Sequence, residues 1–244
     1  MLVGLAAAVA TVAAIGYALI ATDAVPTRGD LGTFDVPEES GARAVFLSDG
    51  RPAFLVRRGD EVHVVDARQP LAAGTPGRLV LWCGGGFTDL VGGAYTADGR
   101  LLVGDVPSSL VAYPVTVVPG GRQVVVGPDG APAAPAVGEP SMIDCDASNA
   151  VNHEPSEGEV FDPSVAADEE PPGWIWLEGR LLAVGGQAVL CDGGGADCAT
   201  GAVVRGTDPA GVGIEAGFPH LFLGRVRDGA IEELFSVPSM ESGG

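Results

Sequence analysis

Apolar and polar positions along this chain follow two regimes. The first has no alternation. Residues 2–21, LVGLAAAVATVAAIGYALIA, form an uncharged apolar run. Rising about 1.5 Å per residue, such a helix reaches roughly 30 Å, the thickness of a bilayer core. No basic residue precedes the run, whereas a signal peptide has a basic start and a shorter apolar core. The run is therefore expected to be an uncleaved transmembrane helix. The alternative is a signal sequence cut after Ala24. Residues 22–42 follow, with Pro, Gly and acids but no apolar period, and read as a linker.

From Arg43 the pattern becomes that of short β-strands joined by turns. Short apolar stretches at 44–47, 53–56, 61–65, 79–83, 101–103, 110–118 and 123–126 are separated by turn residues. Asp49-Gly50 and Gly59-Asp60 have the chemistry of tight turns. This predicts an antiparallel β domain over 43–126. His63 alternates with Val62 and Val64, so it takes the opposite face and reads as a half-exposed strand residue. Arg28-Gly29-Asp30 and Arg58-Gly59-Asp60 read as turns, not as adhesion signals.

Residues 127–172 lose this pattern. A Pro/Ala/Gly spacer leads into a polar, acidic stretch, and the whole reads as a linker. It carries Cys145 and His153 among acids, without the paired spacing of a zinc site or the alternating acids of a calcium loop. Trp174 reopens the strand pattern. Residues 173–244 read as a second, small β-rich region. Within it 174–184 is expected to fold as a hairpin turning at Glu178-Gly179, and Arg227-Asp228-Gly229-Ala230 as another turn.

Composition agrees with an all-β fold. The chain has 244 residues, with 38 Gly and 19 Pro, which favour many short strands and turns. Its formal charge is −19, and all 13 basic residues are Arg. A chain this acidic lacks the basic patches that nucleic acid requires, and anionic lipid is equally disfavoured. The four cysteines are Cys83, Cys145, Cys191 and Cys198. An even count in an exported domain predicts two disulfides, with three connectivities open. Cys191–Cys198 is favoured because the Gly-rich residues between them can turn tightly. Cys83–Cys145 then follows by elimination. Free buried thiols are the alternative.

Chemistry-bearing motifs are scarce. Gly84-Gly85-Gly86 lacks the Gly-Lys-Ser/Thr ending and the following helix of a phosphate loop. There is no Gly-x-Ser-x-Gly elbow. No catalytic residues are assigned.

Residues 43–118, about a third of the chain, resemble the Rieske iron–sulfur family. The stretch FLSDGRPAFLVRRGDEVHVVDA is similar to that family's opening hairpins. The family's Cys-x-His box falls on Gln69-Pro70-Leu71, and its Cys-x-x-His box on Cys83-Gly84-Gly85-Gly86. Phe87, Ala97-Asp98-Gly99-Arg100, Gly104-Asp105-Val106-Pro107, Leu110 and Tyr113-Pro114-Val115 follow the rest of the pattern. A Rieske cluster needs two Cys and two His. Here Gln69, Leu71 and Gly86 replace three of them, leaving Cys83. The resemblance thus implies a Rieske-like β domain that binds no [2Fe–2S] cluster and no other cofactor or metal. The apolar run 2–21 is expected to make the chain a single-pass protein of the cell membrane, and the paired cysteines to place its β part outside the cytoplasm. Its partners would then be the membrane and subunits of a cytochrome bc-type respiratory complex, which it would serve as an accessory. The rivals are an electron-transfer protein with a rebuilt metal site, and an envelope binding module with no respiratory link.

Overall fold

The computed structural model describes residues 29–70, 77–90, 92–135, 143, 145–146, 148–156, 159–193, 198–211 and 220–238. The expected anchor, 2–21, lies outside these residues, and so does Leu71. Among the described residues no helix is long and apolar enough to cross a membrane.

The fold is all-β, as the strand pattern predicts. In chain order the strands are β1 Gly32–Asp35, β2 Gly41–Phe46, β3 Pro52–Arg58, β4 Glu61–Asp66, β5 Gly77–Arg78, β6 Leu81–Cys83 and β7 Gly86–Thr88. Next come β8 Ala94–Thr96, β9 Leu101–Val103, β10 Val111–Tyr113, β11 Val115–Val117, β12 Gln123–Val126, β13 Ala131–Pro132, β14 Ala150–Val151 and β15 Val160–Phe161. The helix α1, Pro163–Glu169, leads to β16 Ile175–Val184, β17 Gln187–Asp192, β18 Gly201–Val203, β19 His220–Arg227 and β20 Ala230–Ser236. They form four sheets, ordered β1-β12-β11, β13-β10-β4-β3-β2, β14-β6-β7-β8-β9 and β18-β17-β16-β19-β20-β5, with β15 added beside β16.

β3 lies at the centre. Its first five residues are buried, because both of its faces are covered. Ala53 and Leu55 face one core with Leu31, Val64, Tyr113, Val124 and Val126. Phe54 and Val56 face another with Val65, Trp82, Phe87 and Tyr95. The period of two carries alternate side chains into the two cores. The second core also takes in Trp176 and Leu223 from the C-terminal sheet. The opposite face of that sheet, with Leu177, Leu190, Phe222 and Ile231, packs under Ala166 of α1.

Three expectations about chain organisation need correction. The stretch 22–42 is not all linker, since β1 pairs with β12 from Gly32↔Val126 to Asp35↔Gln123. The stretch 127–172 supplies β13, β14, β15 and α1. These strands are mostly two residues long and complete sheets at their margins, so their backbones find partners without any apolar period of their own. The region 173–244 shares its sheet with the first region, because β20 pairs in parallel with β5 through Phe235↔Gly77 and Ser236↔Arg78.

The turn in 174–184 is also displaced. β16 runs straight through Glu178-Gly179, with Gly179 opposite both Asp192 and His220. The chain reverses instead at Gly185-Gly186, with φ of 58° and 81°. Two successive positive φ values are what a two-residue hairpin turn requires, and Gly supplies them without strain.

The shared core makes a direct prediction. Leu223, 1 % exposed, sits on β19 but packs with residues of the first region. Leu223→Ala should lower unfolding free energy by about 2–5 kcal/mol in urea titration. A loss below about 1 kcal/mol would contradict the shared core.

Candidate functional site

Of the four residues aligned with the Rieske ligand pattern, the described ones, Gln69, Cys83 and Gly86, lie around β7. Cys83 ends β6, Gly86 opens β7, and Gly84-Gly85 turn between them. Gln69 is placed by the backbone, its N–H donating to Arg78 O at 2.9 Å. Its side chain is 3 % exposed and its Nε2 donates to Asp89 Oδ2 at 2.5 Å. Asp89 follows the far end of β7, where its Oδ1 accepts from Gly93 N at 2.7 Å. Gly86 and Asp89 are three residues apart, about 10 Å along an extended strand. The structure therefore places Gln69 at one end of β7 and the pair Cys83 and Gly86 at the other.

Gln69, Cys83 and Gly86 are each held by contacts within the fold. Cys83 is bonded to Cys145, with Cα atoms 5.0 Å apart. Cys191 is bonded to Cys198, at 5.3 Å. Both pairings are those expected from spacing and elimination. A Cβ at Gly86 would run into the carbonyl oxygen of Tyr95 on β8 and come within 2.9 Å of Ile143 Cδ1. No side chain fits there, whatever its chemistry. Tyr95 itself is fully buried beside Gln69 and Asp89. Burial pushes its hydroxyl up to about 12, and the Asp89 charge adds to the shift. It stays protonated throughout the physiological range.

A second polar cluster lies where the first region meets the C-terminal sheet. Asp66, 2 % exposed, ends β4. Its Oδ1 accepts from Arg68 N and Arg68 Nε, both at 2.9 Å. Its Oδ2 accepts from Arg68 Nη2 at 2.7 Å and from Tyr113 Oη at 2.7 Å. Burial alone would lower the Arg68 pKa, but the Asp66 carboxylate outweighs it and holds the guanidinium charged. Burial, then the Asp66 charge, pushes the Tyr113 hydroxyl upward. The Arg68 guanidinium stacks 5.8 Å from the Trp174 ring and 5.9 Å from that of Phe235. Arg51 extends the network, donating from Nη1 to Tyr113 Oη at 2.9 Å and pairing with Asp49 at 2.6 Å.

His153 is the residue the sequence reading missed. Instead of lying among the acids of its own segment, it is 1 % exposed in the protein interior. Its Nε2 lies 3.2 Å from Val45 O and 3.0 Å from Ala53 O, so it carries the proton. Phe46 and Phe54 pack edge-on against the ring at 5.3 and 4.7 Å. The one available signal was Ala150-Val151 two residues upstream, an apolar pair in a polar stretch.

His63 is half-exposed, as expected, and borders an open cleft of about 310 Å³ with Arg58, Glu61, Asp98 and Arg100. Its Nε2 is 3.5 Å from Glu61, while Asp98 is engaged by Thr96 Oγ1 and by Arg100 Nε at 2.7 Å. The cleft thus holds a Thr96 hydroxyl bonded to Asp98, with that carboxylate also paired to Arg100. Among the described residues no three His, Cys, Asp or Glu side chains come together as a metal site.

No protein-family model matches this chain, and neither does any curated protein or solved structure.

The Asp66 cluster predicts an asymmetry between two carboxylates. Asp66→Asn leaves the partly buried Arg68 beside an uncharged partner and breaks charged hydrogen bonds at a 2 % exposed site, which should cost about 1.5–3 kcal/mol in chemical unfolding. Asp49→Asn removes a pair whose carboxylate side chain is 40 % exposed. That change should stay below about 1 kcal/mol. Equal effects would contradict the burial argument.

Proposed function

We propose that this protein is a non-catalytic accessory β protein of the cell envelope, related in pattern to Rieske domains but built to hold no cluster. One observation carries this reading. The positions that would ligate iron are committed to the fold: Gln69 to Asp89, Cys83 to Cys145, and Gly86 to the close approach of Tyr95. Two Cys and two His around one point are the requirement for a Rieske centre, and these residues lie at opposite ends of β7. The residues present do not fit a [2Fe–2S] cluster, and no electron-transfer step runs through them.

Location comes from the sequence. The apolar run 2–21 supports a membrane anchor, and two disulfides support an oxidising compartment. The resemblance to membrane-anchored Rieske proteins supplies the partner class, subunits of a cytochrome bc-type complex. A second reading, an envelope binding module with no respiratory link, rests on the same apolar run and disulfides without the family likeness. Co-purification from native membranes distinguishes them. Respiratory subunits in the eluate support the first, and their absence supports the second.

The cluster-free claim is tested on residues 29–244 produced with iron and cluster-assembly machinery. Near-zero iron and sulfide are expected, with no Rieske signal in the reduced-state electron paramagnetic resonance spectrum. Near-stoichiometric iron with that signal would refute the proposal. Gly86→His, which restores a ligand type, should instead destabilise the fold by about 1–3 kcal/mol through overpacking, without taking up iron.

A further inference from the structure

The segment 148–156 crosses the structure as a narrow band with few attachments. Its strand β14 pairs with β6 through two residues, Ala150↔Cys83 and Val151↔Trp82. Asn152 Nδ2 donates to Pro238 O at 2.7 Å. Upstream, the Cys83–Cys145 disulfide ties the band to the end of β6. Its deepest contact is His153, seated between Phe46 and Phe54 with Nε2 on the carbonyls of Val45 and Ala53.

That seat accepts a neutral ring alone. Nε2 has acceptors, but Nδ1 is buried with no hydrogen-bond partner. A second proton would place an unpaired N–H and a full charge among aromatic rings. The surroundings do little to compensate. β2 presents Val45 and Phe46, and β3 presents Ala53 and Phe54, none of which titrates. Phe46 is backed by Trp176 of β16. On the band itself Glu154 is exposed. From β4 the Asp66 charge favours protonation, but that carboxylate is already engaged by Arg68 and Tyr113.

We propose that residues 148–156 form an acid-released strap, pinned over the shared core by neutral His153 and freed when the imidazole takes a second proton. The disulfide keeps the freed strap tethered at Cys145, so release is local and reversible. Release bares Phe54 and the edge of β6 that β14 covers.

The sign follows from burial, which pulls His153 down to about 4 from an ordinary value near 6.5. Above both values the seated and released forms bind protons equally, and the strap is closed. As pH falls from about 6.5 toward 4 only the released form is protonated, so opening grows. Between pH 7 and pH 5 the opening equilibrium should rise roughly 20-fold.

Hydrogen exchange of the folded chain, read by mass spectrometry and corrected for intrinsic rates, tests this. Peptides within 148–156 should open roughly 20-fold more at pH 5 than at pH 7, while β3 and β19 stay unchanged. His153→Gln keeps an amide donor for the two carbonyls but does not titrate, so its strap should be insensitive to pH. A pH-independent strap in the unmodified protein overturns the proposal. So does an equal rise in β3 and β19, which means global unfolding. If the variant does not fold, the His153 ring titrated by NMR in the unmodified chain decides. A midpoint well below 6.5 is expected, and an ordinary one overturns it.

Discussion

Asp66 is a carboxylate withdrawn from water, and the arrangement of the two β regions depends on how that charge is satisfied. Its four accepted hydrogen bonds come from Arg68 and Tyr113. They lock the Arg68 guanidinium in one plane. That plane lies beneath Trp174 and Phe235, and its remaining donor reaches Glu233 at 3.6 Å. The seam between the first region and β20 is therefore set by a fixed cation stacked on two rings, beside the parallel pairing of β5 with β20. A buried pair of this kind adds little net stability over an apolar replacement. Its effect is selective: it specifies which part of β20 lies over the end of β4, and losing one partner is far worse than losing both.

The parts of this arrangement that follow a local rule were legible in the sequence. β2, β3 and β4 are short, largely apolar stretches joined at Asp49-Gly50 and Gly59-Asp60, so strand pattern and turn chemistry agree. The Cys191–Cys198 bridge was legible from seven residues of separation and a Gly-rich interior. The parts that depend on distant partners were not. β1, β13 and β14 carry no period because two to four residues are too few to show one, and their hydrogen bonds are supplied by β12, β10 and β6. Glu178-Gly179 has turn chemistry, yet neighbours on both sides hold it in mid-strand, and Gly185-Gly186 turns instead. His153 looked like a surface residue because its neighbours in sequence are acids. Its neighbours in space are Phe46 and Phe54.

The candidate site shows the same division. In the sequence, Gln69 and Gly86 stood out only through the likeness to the Rieske pattern. That these residues hold the fold was not visible, because the Asp89 partner and the Tyr95 carbonyl arrive from elsewhere in the β7–β8 hairpin. Cys83 belongs to both accounts, since its bond to Cys145 removes a thiolate and anchors the band that carries His153. Fold and chemistry are separable, so a β scaffold held by such internal contacts keeps its shape whatever its surface does.

The region 43–126 and the region 173–244 form one cooperative unit joined at Arg68. Native-state hydrogen exchange in rising urea measures this directly, compared between the unmodified chain and Arg68→Met. The account predicts that peptides from β3–β4 and from β19–β20 open with the same urea dependence, and that the substitution lowers both by the same amount. Separate openings in the unmodified chain, or an effect of Arg68→Met confined to one region, would contradict it.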